Sequence, residues 1–202
     1  MEKMDFKKEF KHLYQAPATN PVLVETPPMN YLMVDGQGDP NTVPAYAQAI
    51  EALFAVSYAI KFMVKKGPSA VDYGVMPLEG LWWADDMSAF ASKDKSIWKW
   101  TAMIMQPALV TAQLLANAVA EVEKKKNPAA LSKLRFEALE EGKCAQILHV
   151  GPFSEEGPTI EKLHAFIDVR GRRNGKHHEI YLSDIRRAEP SRWKTILRQP
   201  LR

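Results

Sequence analysis

The sequence predicts an α+β fold: duplicated strand–helix–strand–strand units, related by a pseudo-two-fold axis, forming a curved antiparallel sheet with a ligand cleft between the repeats. Three observations predict it. After the N-terminal region the order strand, glycine turn, helix, strand, strand occurs twice. The closing strands match in letters, Trp98-Lys-Trp-Thr-Ala-Met-Ile-Met-Gln-Pro107 against Trp193-Lys-Thr-Ile-Leu-Arg-Gln-Pro200. A chain of 202 residues with 46% hydrophobic content is long enough to bury one core shared by both units.

Taken in order, residues 1–20 read as an N-terminal helix (about Asp5–Tyr14) with the start of a Pro-rich connection that runs from Ala16 to Pro28. Repeat one spans about 21–107. It opens with a strand at Asn30–Val34 and the turn Asp35-Gly-Gln-Gly-Asp-Pro40. Pro44 then fits the first turn of a helix, where its missing N–H does no harm. That helix continues to Lys66 with Ile50, Leu53, Phe54, Ser57, Ile60 and Val64 at helical spacing. A strand near Val71–Trp83, a polar hairpin loop (Ala84–Lys95) and the Trp98–Pro107 strand complete the unit. A connecting helix fills about 107–127, with Leu114, Leu115, Val119 and Val122 apolar, and LSKLRFEALEEG caps the join. Repeat two covers about 130–202: strand Cys144–Val150, turn at Gly151, helix Pro158–Arg170 with Ile160, Leu163, His164 and Ile167 on one side, strand His177–Leu182 and the final strand.

Composition narrows the function classes. Lys plus Arg number 27 against 24 acids, a net charge of +3, although from Arg170 onward ten basic residues face three acids. Without a helix-turn-helix or RNP-like pattern that basic third reads as a solvated rim, and no nucleic-acid partner is expected. Cys144 is the single cysteine and lies in an apolar stretch, so it reads as a small buried hydrophobe in a reducing compartment. The N-terminus lacks a signal-peptide core and no apolar run reaches membrane-span length, so the expected location is the cytoplasm, with no membrane partner. No seam in the sequence defines an oligomer.

The segment Lys176-His-His-Glu-Ile-Tyr-Leu182 alternates with period two, placing Glu179 and Tyr181 on one strand face. On a solvent face Glu179 is decoration; in a cavity it is a candidate acid or base. The repeat sets Pro77-Leu-Glu-Gly-Leu-Trp-Trp83 against it. Aligning Glu79 with Glu179 and Leu81 with Tyr181 brings two carboxyls to one cleft, whereas a slip of one residue sends either to the opposite face. Trp82 and Trp83 point apart, and parity with Glu79 favours Trp83 as the cleft residue. Tyr31, Trp82, Trp83 and Phe153 are candidates to stack on a flat ligand. Trp98, Trp100 and Trp193 read as packing residues. Adjacent His177 and His178 face apart on a strand and have no acid or Cys partners at ligand spacing, so no metal site is assigned. Gly36-Gln-Gly38 lacks the third glycine and the GK[ST] of a phosphate loop and reads as a tight turn. No G-x-S-x-G is present.

These segments also carry a family likeness. Pro27–Asn41, Pro77–Trp83, Met103–Pro107, Leu131–Phe136, Ile147–Pro152 and His177–Leu182 resemble the GyrI-like small-molecule-binding domains, and in particular their stand-alone members without a DNA-binding domain. The likeness runs from about Asp5 to Pro200. Ile185 departs from it, since Pro is frequent there. The resemblance implies a hydrophobic, aromatic-lined cavity around a central glutamate that maps onto Glu179, and flat aromatic or cationic small molecules as ligands. For stand-alone members it implies hydrolysis of the strained cyclopropane in cyclopropanoid DNA-alkylating toxins, a detoxification needing no cofactor. The alternative it implies is a non-catalytic, ligand-sequestering or multidrug-sensing module of the transcription-regulator effector type. Inhibition of gyrase by surface contact ranks last.

For the enzyme reading, Glu179 is the expected general base. Aromatic walls strip its hydration and raise its pKa toward the useful range. Tyr181 or Tyr31 is then the hydroxyl that stabilises the phenolate formed on ring opening. Glu79, Trp82, Trp83 and Phe153 complete the expected ligand set.

Overall fold

The computed structural model describes residues 2–85 and 95–202; most of the Ala84–Lys95 hairpin loop lies outside them. The described residues form β1 (Glu2–Met4), α1 (Phe6–Glu9), α2 (Lys11–Tyr14), β2 (Val22–Thr26), β3 (Met29–Gln37), α3 (Pro44–Lys66), β4 (Val71–Tyr73), β5 (Leu78–Trp83), β6 (Lys99–Gln106), α4 (Ala112–Lys125), β7 (Arg135–Leu139), β8 (Gly142–Val150), α5 (Gly157–Asp168), β9 (His177–Tyr181) and β10 (Lys194–Pro200). The fold is α+β with one curled antiparallel sheet of eight strands, ordered β2-β8-β10-β9-β5-β6-β3-β7, and a separate parallel pair β1-β4. The predicted N-terminal helix is two short turns broken at Phe10.

The duplication is visible in the hydrogen bonds. Gly38 N donates to the Trp98 carbonyl at 2.8 Å, and Gly151 N donates to the Trp193 carbonyl at 2.9 Å. Both turn glycines have positive φ, 102° and 140°, which only glycine adopts without strain. Counting from the two tryptophans makes Met103 equivalent to Arg198. Met103 pairs with Glu79, and Arg198 pairs with His178. The repeat-mate of Glu79 is therefore His178, and the mate of Glu179 is Gly80. The expected alignment of Glu79 with Glu179 is off by one residue, and that slip moves Glu79 to the opposite face of the sheet from Glu179.

Three strands were not expected, β1, β2 and β7, and the single strand expected near Val71–Trp83 is two, β4 beside β1 and β5 in the main sheet. β2 lies in the Pro-rich connection and β7 in the capping segment, and each leads its unit. They exchange halves: β2 pairs with β8 of the second unit, and β7 pairs with β3 of the first. Only Pro27 and Pro28 separate β2 from β3, and only Glu140 and Glu141 separate β7 from β8. Such links span roughly 10 Å, yet each joins strands six places apart in the order, about 29 Å in a flat sheet. The sheet must curl until its two ends approach.

The inner face of the curl is the one on which Tyr31 of β3 feels the charge of Arg198 of β10, four strands away. It holds α1 and α2, fixed by a buried polar chain. Tyr14 donates to Glu79 Oε1 (2.7 Å), and Glu79 Oε2 meets His178 Nε2 (2.8 Å). His178 Nδ1 meets Glu141 Oε2 (2.9 Å), which also pairs with Arg198 Nη1 (3.4 Å). Arg198 Nη2 donates to the Leu13 carbonyl, and Gln146 Nε2 donates to the His12 and Gln15 carbonyls. These bonds satisfy carbonyls that a short helix leaves unpaired at its C-terminus. Burial opposes the charge on His178, but Glu141 and Glu79 outweigh it and raise its pKa to about 9.

The outer face carries one long helix per unit. On α3 the stripe Ala49, Leu53, Val56, Ile60 and Val64 is buried against β3 and β6. This helix is long and apolar enough to cross a membrane, but its apolar stripe lies on the sheet. On α5, Leu163 and Ile167 close over Ile147 and Leu197. Trp100 is fully buried and fills the space above Gly36, where a Cβ would come within 2.1 Å of its ring. The central strands β5 and β9 remain between the two helices, and they floor the cleft.

Candidate functional site

Alternation along β9 places His177, Glu179 and Tyr181 on the cleft side, and antiparallel pairing sets Gly80 opposite Glu179 and Trp82 opposite His177. The Tyr181 hydroxyl donates to Glu179 Oε2 at 2.7 Å and accepts from Trp82 Nε1 at 3.0 Å. Trp82 and Tyr181 are themselves repeat-mates, so this bond crosses the pseudo-two-fold axis. His177 Nε2 stands 3.3 Å from Glu179 Oε1, and the Glu179 side chain is 14% exposed. Burial, followed by the nearby Glu179 charge, pushes the Tyr181 phenol well above its ordinary value, so it remains a donor.

Aromatic rings wall this carboxyl. Tyr46, near the start of α3, tilts over Trp82 at 5.6 Å and meets Trp100 edge-on at 4.9 Å. Its hydroxyl reaches Tyr181, and burial together with Glu179 raises its pKa. Phe153 meets Tyr181 edge-on at 5.7 Å and packs on Trp193 at 5.0 Å. Gly80 keeps the floor open: a Cβ there would lie 2.7 Å from Trp82 Nε1 and 3.1 Å from the Tyr181 hydroxyl. Beyond His177 lies a cavity of about 540 Å³ lined by Ile160 and His164 of α5 and by Arg172, Arg173 and Gln199.

Of the residues singled out in the sequence, the fold brings together Glu179, Tyr181, Trp82 and Phe153. It does not bring Glu79, Tyr31 or Trp83 to them. Glu79 is 0% exposed on the inner face, where it serves the buried chain to Tyr14 and His178. Tyr31 is buried beside Tyr14 on that same face. Trp83 shares the parity of Glu79 and carries Lys176 Nζ 3.3 Å from its ring centroid. The expectation that Trp83, rather than Trp82, faces the cleft is thus reversed by the same one-residue slip.

Sequence reasoning missed Tyr46, Gly80, Thr195 and Glu156. Glu156 precedes α5 and is 6% exposed. Burial, then the charge of Glu179, raises its pKa to about 9, with the Thr195 hydroxyl beside it acting in the other direction. The cleft therefore presents two carboxyls in unlike surroundings, a combination suited to separate acid and base roles.

Comparison with known proteins agrees with this architecture. Residues 19–202 match the GyrI-like small molecule binding domain. A hydrolase from Listeria innocua is 43% identical, with a TM-score of 0.87 and complete coverage of both chains. A second structure of a hydrolase from that organism is 41% identical, with a TM-score of 0.84 over 98% of this chain and 100% of that one. The C-terminal domain of EcmrR shares the fold alone, at 12% identity and a TM-score of 0.55 over 91% of this chain and 97% of that one. No curated protein matches the chain. With nearly its whole length matched, the chain belongs to the GyrI-like small-molecule-binding domain family.

Proposed function

We propose that the protein is a hydrolase of flat, aromatic electrophiles, opening the cyclopropane of cyclopropanoid DNA-alkylating compounds and so detoxifying them. The observation that carries this reading is the Glu179 carboxyl, fixed at one oxygen by Tyr181 (2.7 Å) inside a cleft walled by Trp82, Tyr46 and Phe153. The hydrolases from Listeria innocua, at 41% and 43% identity, support it. Glu179 takes a proton from water as the water oxygen bonds to the strained carbon. The carbon–carbon bond breaks, and its electron pair moves through the conjugated ring to the carbonyl oxygen. The aromatic walls hold the flat substrate and exclude competing water. Tyr181 acts as a positioning residue, since its proton is engaged by Glu179.

A second reading, a binding or sequestering protein, draws on the same carboxyl among aromatic rings, which also suits a flat cation. Turnover separates the two. Incubation with a cyclopropanoid compound, followed by mass spectrometry, is expected to give many ring-opened products per protein molecule. Glu179→Gln is expected to lose on the order of a hundred-fold in rate. Equal binding by both proteins without product would sink the enzyme reading and leave the carrier.

A further inference from the structure

Ring opening collects negative charge on an oxygen remote from Glu179, and the Tyr181 proton is not free to meet it. Another donor stands in the cleft. Glu156 is held by the turn Phe153–Glu155, whose Phe153 ring rests on Tyr181. Its Oε1 is buried and, among the described residues, meets no hydrogen-bond partner, while the Thr195 hydroxyl stands beside the carboxyl. The neighbouring Thr195 belongs to β10 and pairs with Tyr181 across the sheet, which sets Glu156 above the cleft floor. A buried carboxylate with one oxygen unpaired is costly, whereas a neutral carboxylic acid is far less so and carries a proton to give. Among the described residues, the groups that act on it are Glu179 of β9, Thr195 of β10 and Lys95, just ahead of β6. His149 of β8, under the same turn, is engaged by Thr159 Oγ1 and the Pro152 carbonyl.

We propose that Glu156 is the acid partner of Glu179, a neutral carboxylic acid that protonates the oxygen on which charge collects as the substrate ring opens. The role rests on the hydrolase reading above. Water supplies the oxygen that bonds to carbon, and Glu179 takes its proton. The electron pair of the broken carbon–carbon bond reaches the carbonyl oxygen, which receives the proton of Glu156 and leaves as a phenol. Transfer of one proton from Glu179 to Glu156 through solvent resets the site. The substrate class follows: electrophiles whose opening places charge on an oxygen, rather than cations that need only a carboxylate to pair with.

The test compares wild type, Glu156→Gln, Glu156→Asp and Glu179→Gln on two cyclopropanoid compounds whose ring-opened phenols differ in acidity. Glu156→Gln is expected to lose on the order of a hundred-fold in kcat with KM nearly unchanged. It is also expected to lack the fall in rate expected of wild type as pH rises through about 9. Its deficit shrinks on the compound with the more acidic phenol, which needs less help from an acid. Glu156→Asp keeps an alkaline fall. An unchanged kcat in Glu156→Gln, or an equal deficit on both compounds with the alkaline fall intact, overturns the role. If only Glu179→Gln is inactive, the hydrolase reading stands and the acid role falls. If wild type itself does not turn over, both fall together.

Discussion

Replacing Glu156 by Gln should make the protein more stable, and the gain should grow with pH. The folded state raises this carboxyl from its ordinary 4.5 to about 9. Because the folded pKa lies above the unfolded one, the chain takes up a proton on folding throughout that window. The contribution of Glu156 to stability is thus greatest below about 4.5 and declines as pH rises toward 9, by roughly 1.4 kcal/mol per pH unit. At pH 7 the accumulated penalty is about 3 kcal/mol, and between pH 5 and 8 it grows by about 4 kcal/mol. Gln has the same shape and no such titration. It leaves the same unpaired position at Oε1, which adds an offset that does not depend on pH. Urea unfolding of both proteins at several pH values, with equal m-values, isolates the difference. His178 also raises its pKa on folding, but it is common to both proteins and cancels. At pH 7 the expected rise in Tm from the proton term alone is about 6–12 °C for a chain of this size. A stability difference that stays flat from pH 5 to 8 would refute the assignment of a neutral, buried Glu156. A gain would also explain the residue functionally, since a destabilising acid persists where activity requires it.

Three further outcomes are expected. Gly80→Ala places a Cβ 2.7 Å from Trp82 Nε1 and 3.1 Å from the Tyr181 hydroxyl, so it should break their bond and lower turnover at least ten-fold, read by steady-state kinetics. Trp82→Ala should weaken ligand binding by about 1–3 kcal/mol, the scale of a lost stacking wall, whereas Trp83→Ala, on the opposite face, should leave binding within about 0.5 kcal/mol; calorimetry distinguishes them. Glu141→Gln removes the partner shared by His178 and Arg198 and should destabilise the fold by about 3–5 kcal/mol in urea, because buried Arg198 loses its paired carboxylate while His178 keeps only that of Glu79.

The repeat was legible because its closing strands share Trp98-Lys and Trp193-Lys, and because their turns need glycines at Gly38 and Gly151. Glu179 and Tyr181 were legible as a pair because period two is strict on a short strand. The partner strand misled at one point. Pro77-Leu-Glu-Gly-Leu-Trp-Trp83 offers a glutamate at the obvious position, but the residue equivalent to Glu179 is Gly80, which has no side chain to signal a site. Trp83 and Glu79 then followed each other to the wrong face. β2 and β7 escaped notice because each is a five-residue edge, one framed by prolines and the other carrying Arg135 and Glu137 among its apolar residues. Glu156 left no trace in any periodicity. Its burial comes from a turn folding onto β10, a contact between residues about forty apart that local pattern does not encode.

The exchange of leading strands sets a schedule for the ribosome. Val22 waits for Gln146, which emerges 124 residues later. At synthesis rates of about 5–20 residues per second, β2 stays unpaired for roughly 6–25 s while the first unit takes shape around it. An apolar segment waiting that long invites pairing with another nascent chain. Its surroundings answer the hazard: Pro21 on one side, Pro27 and Pro28 on the other, and the charge of Glu25 within. These residues guard β2 in the unfinished chain, when no other part of the sheet can.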